Sequence, residues 1–371
     1  MKFSVSSNEL LSGLSAVSGV VPTKATLPIL ETILFESEDN RLKLTGTDLE
    51  ISAIEYIDID IDIDGAVAIP AKRLLETLRQ LPNIPVHFTV DEEYHVAFKT
   101  DKGTYKLVGE NPDDFPEVAD LEDAIAIDTE SDVLLRAINK TSFAVSNDDL
   151  RPAMMGVYFQ IGTEESKFAA TDGHRLVRYE RSDLTADSPI DFIVPEKALS
   201  ILQKSLETGE CSILVDEEHA LFKNNNTIII TRLINEKYPN YESVIPRDNE
   251  KEMIVERDQM LSTVKRVSIF SSSSSRQIRL QISSSELTIR AEDLNMNSEA
   301  NESMSCEYSD DSLEIGFNAR YLADVLGNAD SESVRFEFST PNRAGIVIPQ
   351  EQQDNEDILM LVMPVMLNNE S

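Results

Sequence analysis

An α+β fold made of three tandem copies of one domain is what this sequence predicts. Three observations predict it. Four landmarks recur in the same order at one spacing. Each copy carries two stretches of helical periodicity. The remainder reads as short alternating strands.

The landmarks are explicit. "IPAKRLLETL" from Ile69, "VPEKALSILQ" from Val194 and "FNARYLADVL" from Phe317 lie 125 and 123 residues apart. "TGTDLE", "AATDGH" and "IRAEDL" place Asp48, Asp172 and Asp293 at offsets of 124 and 121. "DDFPEV", "EKYPNY" and "LVMPVM" place Pro116, Pro239 and Pro364 at offsets of 123 and 125. An earlier helical stretch also recurs as "NELLSGLSAV", "SDVLLRAINK" and "RDQMLSTVKR". The predicted unit is one ordinary domain long. The predicted domains are 1–123, 124–250 and 251–371, the second boundary falling in the polar run "PRDNEKE".

Each element has a local reason. Helices are expected at 8–20, 71–81, 131–145, 196–207, 257–269 and 318–328. In the second, Leu74, Leu78 and Leu81 share one face, with Lys72, Arg73, Glu76 and Arg79 on the other. Isoleucine and aspartate alternate from Ile57 to Asp64, the period of a single half-buried strand with its aspartates in solvent. "NNNTIIITR" and "SVRFEFST" read as further strands, and the serine run 271–275 as a loop. Strands in series with two helices per copy indicate helices covering one face of antiparallel sheets.

Composition narrows the class. The chain has 371 residues and a formal net charge of −34. Such acidity ordinarily repels nucleic acid and membranes. Two isolated cysteines, Cys211 and Cys306, make neither a disulfide framework nor a metal spacing, which suits a reducing cytoplasmic setting. No signal-peptide core is expected near the N-terminus, and no apolar run is long enough for a membrane span.

The charge is unevenly placed. At the chain average the six helices would hold about 7 basic and about 14 acidic residues. They hold 11 basic ones: Lys72, Arg73, Arg79, Arg136, Lys140, Lys197, Lys204, Arg257, Lys265, Arg266 and Arg320. Only Glu9, Glu76, Asp132, Glu196, Glu207, Asp258 and Asp324 oppose them, which is 7. One reading is that Lys and Arg are good helix formers on a solvated face. The other is a basic, phosphate-facing surface on an acidic body.

"ATDGHRL", 170–176, looks at first like a catalytic motif, because Asp172 and His174 could form the acid–base pair of a hydrolase. No nucleophile elbow, zinc-helix, Walker or dinucleotide glycine pattern accompanies it. The matching slot in the first copy has Asp48 but no histidine after it. An enzyme is therefore the weaker expectation, and no metal or cofactor is expected.

Taken together, the three repeats, "LTGTDLE", "ATDGHRL", "KYPNY" and the terminal "VMPVML" resemble the β subunit of bacterial DNA polymerase III, the sliding-clamp family. The resemblance covers the whole chain. It implies the DNA clamp fold as a ring-shaped, head-to-tail homodimer around duplex DNA, bound without sequence preference. It implies a non-catalytic processivity factor. The partners would be a clamp loader, the polymerase III catalytic subunit and other proteins carrying the clamp-binding motif.

The resemblance also implies site residues. A pocket for partner peptides would use Met154, Thr171, Gly173, His174, Arg175 and Leu176, then Pro239 and Val244. Leu361, Val362, Met363, Pro364, Val365 and Met366 would complete it, with Gly345 from the preceding strand. DNA contacts fall on Lys24, Arg73, Arg79, Lys197 and Arg266. Arg151 joins them from a loop whose Asp148 and Asp149 depart from the family pattern. A dimer seam would set Lys99, Lys102, Tyr105, Lys106 and Leu107 of one copy against Ile269, Phe270, Glu299 and Glu302 of another. Met366 stands where the family often has arginine, and 368–371 extend past the usual end.

Overall fold

The fold comes from a computed structural model, which describes residues 1–121 and 123–367; the tail extension 368–371 lies outside the described residues. The chain forms two compact units. One holds Met1–Leu135 and Lys197–Leu233, the other Arg136–Glu196 and the residues from Ile234 onward. The middle repeat thus contributes strands to both.

The first unit has two antiparallel sheets. The smaller runs in the order Asp60–Ile63, Lys2–Ser6, Pro85–Val90, His95–Lys99 and Thr104–Val108. The larger has eight strands and includes the pairing of Ile51–Asp58 with Thr227–Arg232, in which Ser52 faces Ile230. In the second unit, a nine-stranded sheet pairs Arg175–Arg181 with Glu356–Val362, in which Leu176 faces Leu361. Its five-stranded partner runs Ser298–Ser305, Glu286–Asp293, Gln277–Ser283, Leu313–Asn318 and Pro364–Val365. The sheet joint made by the first and middle repeats is repeated, residue for residue, by the middle and third.

All six expected helices form: α1 Ser7–Ser18, α2 Ala71–Leu78, α3 Ser131–Thr141, α4 Glu196–Ser205, α5 Arg257–Ser268 and α6 Ala319–Asn328. Capping explains several of their starts. Ser6, Glu256 and Asn318 accept hydrogen bonds from the first free amides of α1, α5 and α6. Helix α2 buries Ala71, Leu74, Leu75 and Leu78 and ends earlier than the pattern suggested, so Leu81 follows it in a turn. Helices α1 and α2 pack together over the first unit's sheets, and α5 and α6 do so in the second.

One expectation is corrected. The isoleucine–aspartate alternation is not one strand. It breaks at Ile59, which is buried and donates its N–H to the Asn40 carbonyl at 2.9 Å. Ile51–Asp58 lies in the large sheet and Asp60–Ile63 at the edge of the small one. Alternation of period two survives a change of sheet, so it could not reveal the break. The exposed aspartates at that edge discourage pairing with foreign strands.

Two of the helix cations also have a structural purpose. Arg136 grips Glu356 through Nε and Nη2 at 2.6 and 2.7 Å. Lys140 reaches Asp330 at 2.5 Å and the Asn328 carbonyl at 2.8 Å. Tyr179 donates its hydroxyl to Glu356 at 2.8 Å. Burial on its own would raise the Glu356 carboxyl, but the Arg136, backbone and Tyr179 hydrogen bonds bring it down to about 2. Lys140, by contrast, is lowered because burial outweighs Asp330.

Candidate functional site

The loop of "ATDGHRL" is built by its own hydrogen bonds. Thr171 Oγ1 donates to the Arg175 carbonyl at 2.7 Å and accepts the Gly173 N–H at 3.0 Å. Asp172 Oδ1 accepts the N–H groups of His174 and Arg175 at 2.9 and 3.0 Å. The first repeat builds the same loop. Thr47 Oγ1 donates to the Ile51 carbonyl and accepts the Leu49 N–H, both at 3.1 Å. Asp48 Oδ1 accepts from Glu50 and Ile51 at 3.0 and 2.7 Å. In the third, Asp293 Oδ1 accepts from Asn295 and Met296. The aspartate is thus a turn-former in every copy.

This geometry leaves the hydrolase reading without support. Asp172 Oδ1 is held by backbone amides and Oδ2 lies 3.3 Å from Arg175 Nε. The His174 ring stacks on Tyr321 at 5.3 Å instead of facing Asp172. Among the described residues no three His, Cys, Asp or Glu side chains gather into a metal site, and both cysteines are free and buried.

Gly173 has φ 86°, a conformation costly for any residue with a Cβ. Leu49, its counterpart, nevertheless holds φ 80° and is more than half exposed. The difference between the two loops is therefore one of side-chain space. Gly173 opens onto a cavity of about 620 Å³ in the second unit. Of the fifteen pocket residues expected, Met154, Thr171, Gly173, Arg175, Leu176, Pro239, Val244, Leu361 and Met363 line it. Beneath lies a buried cluster that includes Leu176, Ile193, Tyr238, Tyr241 and Leu361.

The other six do not line this cavity. Val362 is buried and pairs with Arg175 and Gly345. A Cβ on Gly345 would meet Phe338 and Phe317 at 3.1 and 3.2 Å, so its place is close packing. Pro364 and Val365 pair with Phe317 and Gly316. His174 lies on Tyr321, and Met366 is 78% exposed. Arg175 is held in place: Asp172 and Asp324 pair with it, and its guanidinium lies 5.4 and 5.2 Å from the Phe143 and Tyr321 ring centres.

The sequence reading missed part of the wall. Asn240, Tyr241, Ser243 and Ile245 to Asp248 line it, as do Asn342, Arg343 and Ala344. The first group simply continues the "YPNY" loop and could have been found by following that loop onward. Pro341, Asn342 and Gly345 mark a turn, but nothing in the sequence places that turn at the pocket.

The remaining candidates are scattered. Arg151 does not stand on a helix face. Its guanidinium comes within 2.7 Å of where a Gly173 Cβ would be, and it pairs with Asp148 at 2.9 Å, so it sits at the pocket mouth. Lys197 pairs with Asp48. Arg266 pairs with Glu302 at 2.6 Å, which ties an expected DNA contact to an expected seam residue. Lys24 is exposed. Among the described residues, Lys72, Arg73, Arg79, Lys204, Lys265 and Arg320 form no ion pair within 4.0 Å.

Arg73, Arg79, Lys106 and Leu107 line one cavity of about 1190 Å³ in the first unit. Tyr105 stacks on Phe98 at 4.8 Å, and Lys99 and Lys102 are exposed. Ile269 and Phe270 are 77% and 40% exposed, and Glu299 faces Glu292 on the neighbouring strand. Thr104–Val108 and Ser298–Ser305 each end their sheet.

Fold and site together define a repeat-built protein with a largely apolar groove and exposed helix cations on an acidic body. Comparison with known proteins makes this specific. The DNA polymerase III β subunit family matches in three parts: its N-terminal domain over 1–119, its central domain over 128–240 and its C-terminal domain over 242–366. The chain is 32% identical to the β sliding clamp of Pseudomonas aeruginosa, over 99% of this chain and all of that one. It is 27% identical to that of Chlamydia muridarum over the full length of both. A crystal structure of the P. aeruginosa clamp bound to griselimycin superposes with a TM-score of 0.94 at 31% identity, covering 99% of this chain and all of that one. The Bacillus subtilis DNA polymerase sliding clamp does so at 0.94 and 26%, with 99% of this chain covered. The chain belongs to the DNA polymerase III β subunit family.

Proposed function

We propose that this protein is a sliding clamp that encircles duplex DNA and tethers the replicative polymerase and repair proteins to it. The observation that carries this reading is the family match along the whole chain, joined to an apolar groove where the family's peptide site would be. No chemistry is performed: the acid–base candidates are turn and stacking residues. The protein works in the cytoplasm as three clamp domains, 1–123, 124–250 and 251–371.

The physical logic is retention without readout. Lys24, Arg73, Arg79 and their exposed neighbours attract phosphates through long, mobile side chains that read no base edges. Closure of the ring retains the DNA, and the acidic exterior keeps DNA from adhering elsewhere. Closure is by a second copy: Ile269 and Phe270 of one copy enter the first-unit cavity beside Leu107 of the other, with Lys99, Lys102 and Lys106 facing Glu299 and Glu302. Such an exposed apolar pair ordinarily marks an interface. The test is retention. Placed on circular DNA by a clamp loader, the protein should stay bound and be lost when the circle is cut. Equal loss from intact circles overturns the reading.

A further inference from the structure

The pocket is apolar at one end only. Beyond Val244 it continues past Ile245 and Pro246 to Arg247, Asp248, Asn342 and Arg343. This polar end is held together: Asn249 Nδ2 donates to the carbonyls of Glu337 and Ala344 at 2.9 and 3.0 Å, joining the two chain segments that form it. Its cations are more available than Arg175, which is buried between two rings and two carboxylates.

Among the described residues Arg343 pairs only with Asp248, and both side chains are about half exposed. An exposed pair of this kind contributes little, so exchanging Asp248 for another carboxylate costs little. Arg247 is exposed and, among the described residues, forms no ion pair. Two arginines against one aspartate leave this end of an apolar groove net positive.

We propose that Arg343 and Arg247 read a carboxylate on the bound peptide, next to its apolar anchors. This rests on the groove being the partner-peptide site. The carboxylate is either an acidic side chain or the peptide's own C-terminus. A guanidinium takes either in a bidentate, charge-assisted pair. Partners would then be ranked by charge at this end, while the apolar anchors set the common affinity.

The test uses the full-length protein and three labelled peptides in fluorescence anisotropy at fixed salt. All share a glutamine followed by leucines and a phenylalanine. The first ends in an amide, the second in a free carboxylate, the third in a glutamate with an amidated terminus. The second or third should bind about tenfold more tightly than the first, and which one does so identifies the source of the carboxylate. Arg343→Ala combined with Arg247→Ala should erase the preference, so that the three peptides bind alike, with an unchanged circular dichroism spectrum reporting an intact fold. Asp248→Asn should strengthen the preference. Equal binding of all three peptides, or a preference that survives the double variant, overturns the proposal alone. Failure of every peptide to bind removes the pocket reading and this inference with it.

Discussion

Replacing Gly173 with leucine separates the fold of the pocket loop from its use. The first repeat has already performed the backbone half of the experiment, since Leu49 occupies the same hydrogen-bonded turn at φ 80° against 86° for Gly173. A side chain in that region costs ~1–2 kcal/mol. The new Cβ would meet Arg151 Nη1 at 2.7 Å, the end of a flexible side chain that can swing aside. Moving it breaks the Arg151–Asp148 pair, 41% and 40% exposed, at a cost below about 1 kcal/mol. Gly173→Leu should therefore lower stability by ~1–3 kcal/mol and keep the fold, measured by urea unfolding. Binding should suffer more specifically. The leucine projects into the cavity mouth and displaces at least one apolar anchor, ~1.5–3 kcal/mol, so peptide affinity should fall at least tenfold. Leu49→Gly is the matched control and should leave peptide affinity unchanged. If Gly173→Leu binds peptide normally, the mouth of this cavity is not the way in. If it unfolds the protein, the two loops are not interchangeable and the repeat argument fails.

Other perturbations probe the rest of the molecule. Glu356 is only 3% exposed, and its carboxyl lies near 2 instead of 4.5. A depressed carboxylate stabilises fully above its unfolded value and loses that contribution as pH falls toward its folded one, so the linkage amounts to about 3 kcal/mol. Glu356→Gln should lower stability by that order at pH 7 in urea unfolding, and the gap to wild type should close between about pH 4.5 and 2; a constant gap would show that charge is not its origin. Ile269→Asp with Phe270→Asp should halve the mass seen by light scattering, and an unchanged dimer would move the seam elsewhere. Arg79→Ala should reduce the salt dependence of DNA binding by about 0.9 in the log–log slope, one phosphate's worth; an unaltered slope would take Arg79 off the DNA path.

The repeats were legible because they recur in chemistry as well as in spacing. Threonine and aspartate at 47–48 and 171–172 make the same four hydrogen bonds, so a sequence match there is a match of mechanism. Helix α2 was legible from its leucines, but its end was not, because Leu81 continues the apolar pattern into a turn. The break at Ile59 was hidden by a period that both sheets share. One part of the pocket wall was hidden for another reason. Residues 342–344 reach the groove through strand order and the Asn249 hydrogen bonds, which join positions far apart in the chain.

The helices do invert the balance of the chain, yet the cations behind that count are not equivalent. Arg136 and Lys140 serve a buried lock, and Lys197 and Arg266 have carboxylate partners of their own. A cation already paired at the surface gives up that pair, at a cost below about 1 kcal/mol, before it meets a phosphate. Arg73, Arg79 and the other exposed helix cations without an ion pair have no such cost. Among the described residues, the helix charge free of a carboxylate partner is therefore carried by fewer residues than the count suggests. Neutralising one of those should reduce the salt slope more than neutralising Lys197 or Arg266, even though all four belong to the helices or their caps.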